Sequence, residues 1–320
     1  MLLQVEQLRT YLHLRRGVLR AVDGVSLHVA EAETLGLVGE SGSGKTMTGL
    51  SLLRLLPRGA GRIEGGSIRL DGQDLTALTE ADMARDIRGR RIAMIMQDPM
   101  TSLNPVFSIG DQVAAPLRYH DIASGAVLRS QVIDVLKRVR IPSPEQRLGD
   151  YPHQFSGGQR QRIVAAMAIG CTPRLLIADE PTTALDVTIQ VQIITLLKRI
   201  QQDAGLGIVL ITHDLGVAAS LCHRIAVMYA GQIVETAPVR AIYKAPAHPY
   251  TQALLAAIPR LHATERRLTA IPGQPPSLID PPEGCRFAAR CPHRMDRCAE
   301  PPPVVDLGNG HSAACWKLAA

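Results

Sequence analysis

The feature that most constrains this chain is Gly39-Glu40-Ser41-Gly42-Ser43-Gly44-Lys45-Thr46, set between the apolar run Leu35-Gly36-Leu37-Val38 and a stretch with helical spacing. The frame G-x-x-x-x-G-K-[ST] lets the backbone curl so that successive N–H groups face phosphate oxygens, and the helix that follows adds its positive end. Lys45 is then placed for the β and γ phosphates, and Thr46 for Mg2+. A flexible Gly/Ser turn would account for the composition, but not for the strand before it and the helix after it. The expectation is therefore an α/β chain that handles a nucleoside triphosphate.

The rest of the pattern agrees with that class. Leu175-Leu176-Ile177-Ala178 and Gly207-Ile208-Val209-Leu210-Ile211 are uninterrupted apolar runs separated by a helix from about Thr188 to Ala204, as in a parallel sheet covered on both faces. Shorter strands are expected at Leu2–Val5, Val25–Val29, Ser67–Leu70, Ile92–Met96, Arg224–Tyr229 and Gln232–Glu235. A helix from Met47 to Leu56 stops at Pro57, which cannot extend the hydrogen-bond ladder. Residues from about 98 to 165 read as a helical insert, with Gln131–Arg140 the clearest helix. Beyond residue 258 the composition turns to Pro, Arg and Cys, which marks a separate, loop-rich appendage over 259–320.

Two further stretches carry chemistry. Leu175–Ala178 delivers Asp179 and Glu180 to a strand's carboxyl end, where ligands of open α/β sheets bind. Asp179 is placed to hold Mg2+ through water, and Glu180 to orient and deprotonate the water that attacks in hydrolysis. Solvated strand-capping acids are the bland alternative. Ser156-Gly157-Gly158-Gln159 opens a helix running toward Ile169. Ser156 and Gln159 form a capping box, and the Gly-opened N-terminus also suits a phosphate.

Composition excludes some partners. The formal charge is +6 from 35 Lys and Arg against 29 Asp and Glu, scattered along the chain, and aromatic residues are only 3%. That argues against nucleic acid, whose single strands need stacking platforms. No apolar stretch approaches the roughly 18 residues of a membrane span, and the start lacks a signal-peptide cleavage site, so a cytoplasmic location is expected. Of six cysteines, Cys285, Cys291, Cys298 and Cys315 crowd one end at C-x5-C-x6-C-x16-C spacing. In a reducing compartment such a group reads as a metal site rather than disulfides. Arg286, Arg290, Arg294 and Arg297 could offset its negative charge, and His293, Asp296 and His311 read as solvated loop residues.

Taken in order, Gly39 to Thr46, Gln97, Ser156 to Gln159, Asp179-Glu180, Ala184-Leu185-Asp186 and His213 resemble the nucleotide-binding subunits of ABC transporters. More narrowly, GLVGESGSGKT, MQDPMTSLNPVFSIGDQV, YPHQFSGGQRQR, ADEPTTALDVTIQ and the tail HPYTQALLAAIP...GCRFAARCPHRMDRC...CW are similar to the ATP-binding proteins of dipeptide and oligopeptide importers. The resemblance implies a P-loop nucleotide-binding domain over 1–258 with an antiparallel β portion. It makes Gln97 a sensor that contacts Mg2+ and water, His213 the γ-phosphate contact and Asp186 a residue of the dimer seam. Tyr11, beside Leu12, falls near the family's adenine-stacking position. Ser156, Gly157, Gly158 and Gln159 would close on ATP held by an opposing cassette. The implied partners are a second cassette, two membrane-spanning permease subunits near Met100–Pro105, and indirectly an extracytoplasmic solute-binding protein. The four cysteines would hold a 4Fe-4S cluster, with zinc as the alternative. Import of nickel or glutathione, and a soluble ATPase of DNA repair or translation, are the competing functions.

Overall fold

The structure, a computed structural model, describes residues 1–97, 102–183, 186–258 and 271–319. Its strands are β1 Leu3–Leu14, β2 Gly17–Val29, β3 Thr34–Val38, β4 Gly61–Leu70, β5 Gln73–Asp74, β6 Ile92–Ile95, β7 Leu175–Asp179, β8 Gly207–Thr212, β9 Arg224–Tyr229, β10 Gln232–Pro238, β11 Val304–Asp306 and β12 Ser312–Ala314. The helices are α1 Lys45–Leu52, α2 Glu80–Asp82, α3 Ile109–Tyr119, α4 Gly125–Arg138, α5 Pro144–Arg147, α6 Gly157–Ile169, α7 Val187–Ala204, α8 Leu215–Leu221, α9 Val239–Lys244 and α10 Pro249–Ala256. They gather into two compact units, one of residues 1–3, 29–34 and 70–211, the other of 4–28, 35–69 and 212–320.

In the first unit, β6, β7 and β8 run parallel, in the register Ile95 to Ala178 and Asp179 to Ile211. All five residues of β7 are buried, which explains its unbroken apolar run. The stripe Ile193, Leu196, Leu197 and Ile200 of α7 is buried at helical spacing. Helices α3 and α4 both pack on α6. The expected insert begins at residues 98–101, outside the described residues, and its helices follow from 109.

In the second unit, β1 lies between β2 and β4, and a second set runs β11-β12-β10-β9-β3. There β3 pairs parallel with β9 and β10 antiparallel with β9. The division expected after residue 258 is not the one the contacts make. Strand β12 adds to β10 through Glu235 opposite Ala313, and Phe287 is 1% exposed in the core with Tyr229 and Tyr250. The three rings lie 4.5 to 5.4 Å apart, in tilted and edge-on arrangements. Burying such a side chain stabilises by about 1.5–3 kcal/mol. Residues 271–319 thus fold as part of the unit that carries the phosphate loop.

Candidate functional site

The phosphate loop leaves the fully buried β3 and enters α1. Its glycines are set by close backbone approach. A Cβ at Gly39 would stand 2.1 Å from the Met228 carbonyl oxygen, and one at Gly44, where φ is +104, would stand 2.2 Å from that of Ala21. No side chain caps the N-terminus of α1, and its first turn holds no acid, so its backbone donors suit an anion. Lys45 is buried, its Nζ donating to the carbonyls of Gly39 at 2.8 Å and Glu40 at 2.9 Å. Ser41, Gly42 and Thr46 are exposed, whereas Ser43 is buried and its carbonyl accepts from Gly231 N–H at 2.8 Å.

The same unit carries Tyr11 and His213. The Tyr11 hydroxyl donates to Asp23 at 2.7 Å, and the Arg20 guanidinium stands 5.9 Å from its ring. Burial, then Asp23, pushes the Tyr11 phenol pKa up. His213 is exposed, between the buried Thr212 and the α8 cap Asp214.

The first unit assembles the acids. Asp179 ends β7 at 2% exposure. Glu180 follows with φ of +45, a left-handed backbone uncommon outside glycine, held by its N–H to the Ile211 carbonyl at 2.9 Å. Continuing the Ile95–Ala178 register by two residues sets Gln97 beside Glu180. Gln97 Nε2 donates to Glu180 Oε2 at 3.0 Å, and Thr183 Oγ1 donates to the same oxygen at 2.8 Å. Thr183 escaped sequence reasoning, because a hydroxyl three residues past an acid carries no signal until the turn is seen.

Ser156 and Gln159 make the expected capping box: Gln159 N–H donates to Ser156 Oγ at 3.3 Å, and Ser156 N–H to Gln159 Oε1 at 3.0 Å. Gly157 is exposed and Gly158 buried, where a Cβ would stand 2.8 Å from Ile189 Cγ2 of α7. Two residues into α6 beyond the box, Gln161 donates to the Pro181 carbonyl at 2.8 Å and so ties this helix to the turn of Glu180. Asp186 caps α7 through Ile189 N–H at 2.9 Å; Ala184 and Leu185 lie outside the described residues.

The four C-terminal cysteines are gathered, with Cys285 N–H donating to the Cys298 carbonyl at 2.9 Å. Among the described residues no three His, Cys, Asp or Glu side chains are grouped to hold a metal ion. Burial pushes the Cys285 thiol up to about 11, with Cys298, Cys315 and Cys291 adding to it, and raises Cys291 and Cys315 likewise. Backbone N–H groups nonetheless face all four sulfurs, from Phe287, His293, Met295, Lys317 and Leu318. Two neighbouring arginines are committed elsewhere: Arg286 pairs with Asp23, and Arg290 with Glu40. His311 is not solvated, because it contacts the buried Glu235 at 2.7 Å.

Comparison with known proteins decides the family. The ABC transporter family matches residues 22–183. A probable peptide ABC transporter ATP-binding protein of Sinorhizobium fredii is 49% identical, over 99% of this chain and 95% of its own. The chain belongs to the ABC transporter family. A second match to this ABC protein, over residues 234–298, is to the oligopeptide/dipeptide transporter C-terminal region. The dipeptide transport ATP-binding protein DppD of Escherichia coli is 47% identical to it, over 98% of this chain and 96% of its own. Among solved structures, the ATP-binding cassette MJ0796, a dimer in a post-hydrolysis state bound to ADP and Pi, superposes with a TM-score of 0.66 at 26% identity. That likeness covers 74% of this chain and 99% of the cassette. As in that cassette's family, the α/β fold with mixed sheets is the one expected.

Proposed function

We propose that this ABC protein is the ATP-hydrolysing subunit of an importer of di- or oligopeptides. The observation that carries the hydrolytic part is the Glu180 carboxylate, held by Gln97 and Thr183 at the end of β7. A carboxylate fixed by two donors keeps one orientation toward a water, which it deprotonates as the water attacks the γ phosphate. Glycines 39, 42 and 44, Lys45 and the α1 N-terminus bind the phosphates, Tyr11 stacks on adenine, and His213 contacts the γ phosphate. Mg2+ neutralises phosphate charge in such reactions. The hard oxygen donors of Thr46, Asp179 and Gln97 suit that ion. Ser156 to Gln159 and Asp186 serve the ATP of a second cassette, a role supported by the dimeric ADP-bound relative.

Peptide as the cargo is supported by the names of relatives 46–49% identical over nearly the whole chain, rather than by a side chain here. The C-terminal match likewise favours transport over DNA repair or translation. No described helix is long and apolar enough to cross a membrane, and we assign the cargo path to separate permease subunits. A surface for them is offered by Val106 and Phe107, exposed at 72% and 54%; Leu103, in the stretch first expected to meet them, is buried. Gln112 fixes that loop by donating to the carbonyls of Asn104 at 2.9 Å and Phe107 at 3.0 Å. A 4Fe-4S cluster on the four cysteines is supported by the N–H donors on every sulfur, since such hydrogen bonds favour cluster thiolates. Iron and sulfide analysis of anaerobically purified protein tests it; stoichiometric zinc overturns it. The function is tested by purifying the chain from detergent-solubilised membranes and measuring peptide uptake. Two permease subunits should accompany it, and Glu180→Gln should abolish uptake while ATP still binds. Uptake that survives this substitution rejects the proposal.

A further inference from the structure

The second position of the phosphate loop, Glu40, is free in the G-x-x-x-x-G-K-[ST] frame, yet it is fixed at three points. Its N–H donates to the Tyr250 hydroxyl at 2.9 Å, its carbonyl accepts from Lys45 Nζ at 2.9 Å, and its carboxylate accepts two bonds from Arg290 at 2.7 and 3.0 Å. Arg290 is 3% exposed and spends all five guanidinium donors. Besides the pair to Glu40, Nε donates to the Pro272 carbonyl at 3.0 Å, Nη2 to that of Ile271 at 3.3 Å, and Nη1 to the Tyr229 hydroxyl at 3.3 Å.

We infer that Arg290 is a positioning residue for nucleotide binding, which sets the curl of the phosphate loop and the perch of Lys45 through Glu40. A flat fork with five fixed donors holds a carboxylate in one plane, which a lysine's point charge cannot do. The loop's carbonyl at position 40 is part of what anchors the Lys45 ammonium, so a drift of Glu40 displaces the cation that meets the phosphates. The inference rests on the reading of Gly39–Thr46 as the nucleotide loop.

The test measures MgATP affinity by titration, and KM and kcat of hydrolysis, on the full-length protein carrying Arg290→Lys, Glu40→Gln, both together, or Lys45→Ala. Arg290→Lys should raise the MgATP dissociation constant and KM about tenfold, the worth of one hydrogen bond to a charged group, and leave kcat within about twofold. The double variant should be no weaker than Glu40→Gln alone, because Arg290 acts through Glu40. Thermal unfolding without nucleotide separates folding from positioning. A lowered melting temperature with unchanged KM makes Arg290 merely structural and overturns the inference, as do additive effects in the double variant. Unchanged affinity in Lys45→Ala instead overturns the nucleotide reading itself.

Discussion

Replacing Thr183 by valine isolates the orientation of Glu180 from its chemistry. Valine matches threonine in shape and β-branching, so the turn closed by Thr183 N–H on the Glu180 carbonyl at 3.2 Å survives. What disappears is the 2.8 Å hydroxyl bond to Oε2, which leaves Gln97 as that oxygen's other described donor. Hydrogen bonds to charged groups are worth about 1.5–3 kcal/mol. Thr183 is half-buried and water can replace part of the bond, so the low end applies, about a tenfold fall in kcat. The KM for ATP should not move, because Lys45 and Thr46 are untouched; a loss in kcat alone marks an interaction made in the transition state. The assay is steady-state hydrolysis by the assembled transporter over a range of MgATP. In a Glu180→Gln background, Thr183→Val should add nothing. A kcat within twofold of wild type, or a loss that appears in KM, refutes the argument that Thr183 serves Glu180.

Phe107→Asp puts a charge on a side chain that is 54% exposed, so the protein should fold and bind ATP as before. Co-purification with the permease subunits should drop severalfold, and retention at wild-type levels would remove Phe107 from the docking surface. His248, 1% exposed, has its imidazole pushed by burial down to about 4, against the usual 6.5 or so. A histidine more basic when unfolded makes folding stability full above about pH 6.5 and draws it down as pH falls toward 4, by about 3 kcal/mol. Urea midpoints at pH 7.5 and 4.5 should therefore differ less in His248→Asn, which keeps a helix-capping side chain; equal differences would exclude His248 as the source.

What was legible was the part with local logic. The runs Leu175–Ala178 and Gly207–Ile211 are strands buried on both faces, so their apolar character is continuous, and the Ser156/Gln159 box is a contact between residues three apart. Strands β1 and β2 reach 12 and 13 residues where only their ends were expected, because Arg9 of β1 and Arg20 of β2 keep their polar faces in water. Strand β4 begins at Gly61 rather than at the expected Ser67, so Gly65 and Gly66 lie inside it. At Gly66 φ is +87, and a Cβ there would stand 2.5 Å from the carbonyls of Glu6 and Gln7, so the glycine admits a close backbone rather than a reversal. Helix α1 ends at Leu52 rather than Leu56, since Arg54 takes a positive φ before Pro57 is reached. Arg290, Tyr250 and Asp23 were invisible because their partners are distant in sequence. The arginines beside the cysteines were assigned to a cluster for want of those partners.

The clamp on Glu40 also sets an order of events during synthesis. Arg290 lies 250 residues after the glutamate it holds. At about 5–20 residues per second, a ribosome needs roughly 12–50 s to make that stretch. Throughout that interval the complete nucleotide motif exists without the side chain that fixes its second residue. A chain stalled before residue 290 would therefore carry every motif residue of the loop without the arginine that holds Glu40.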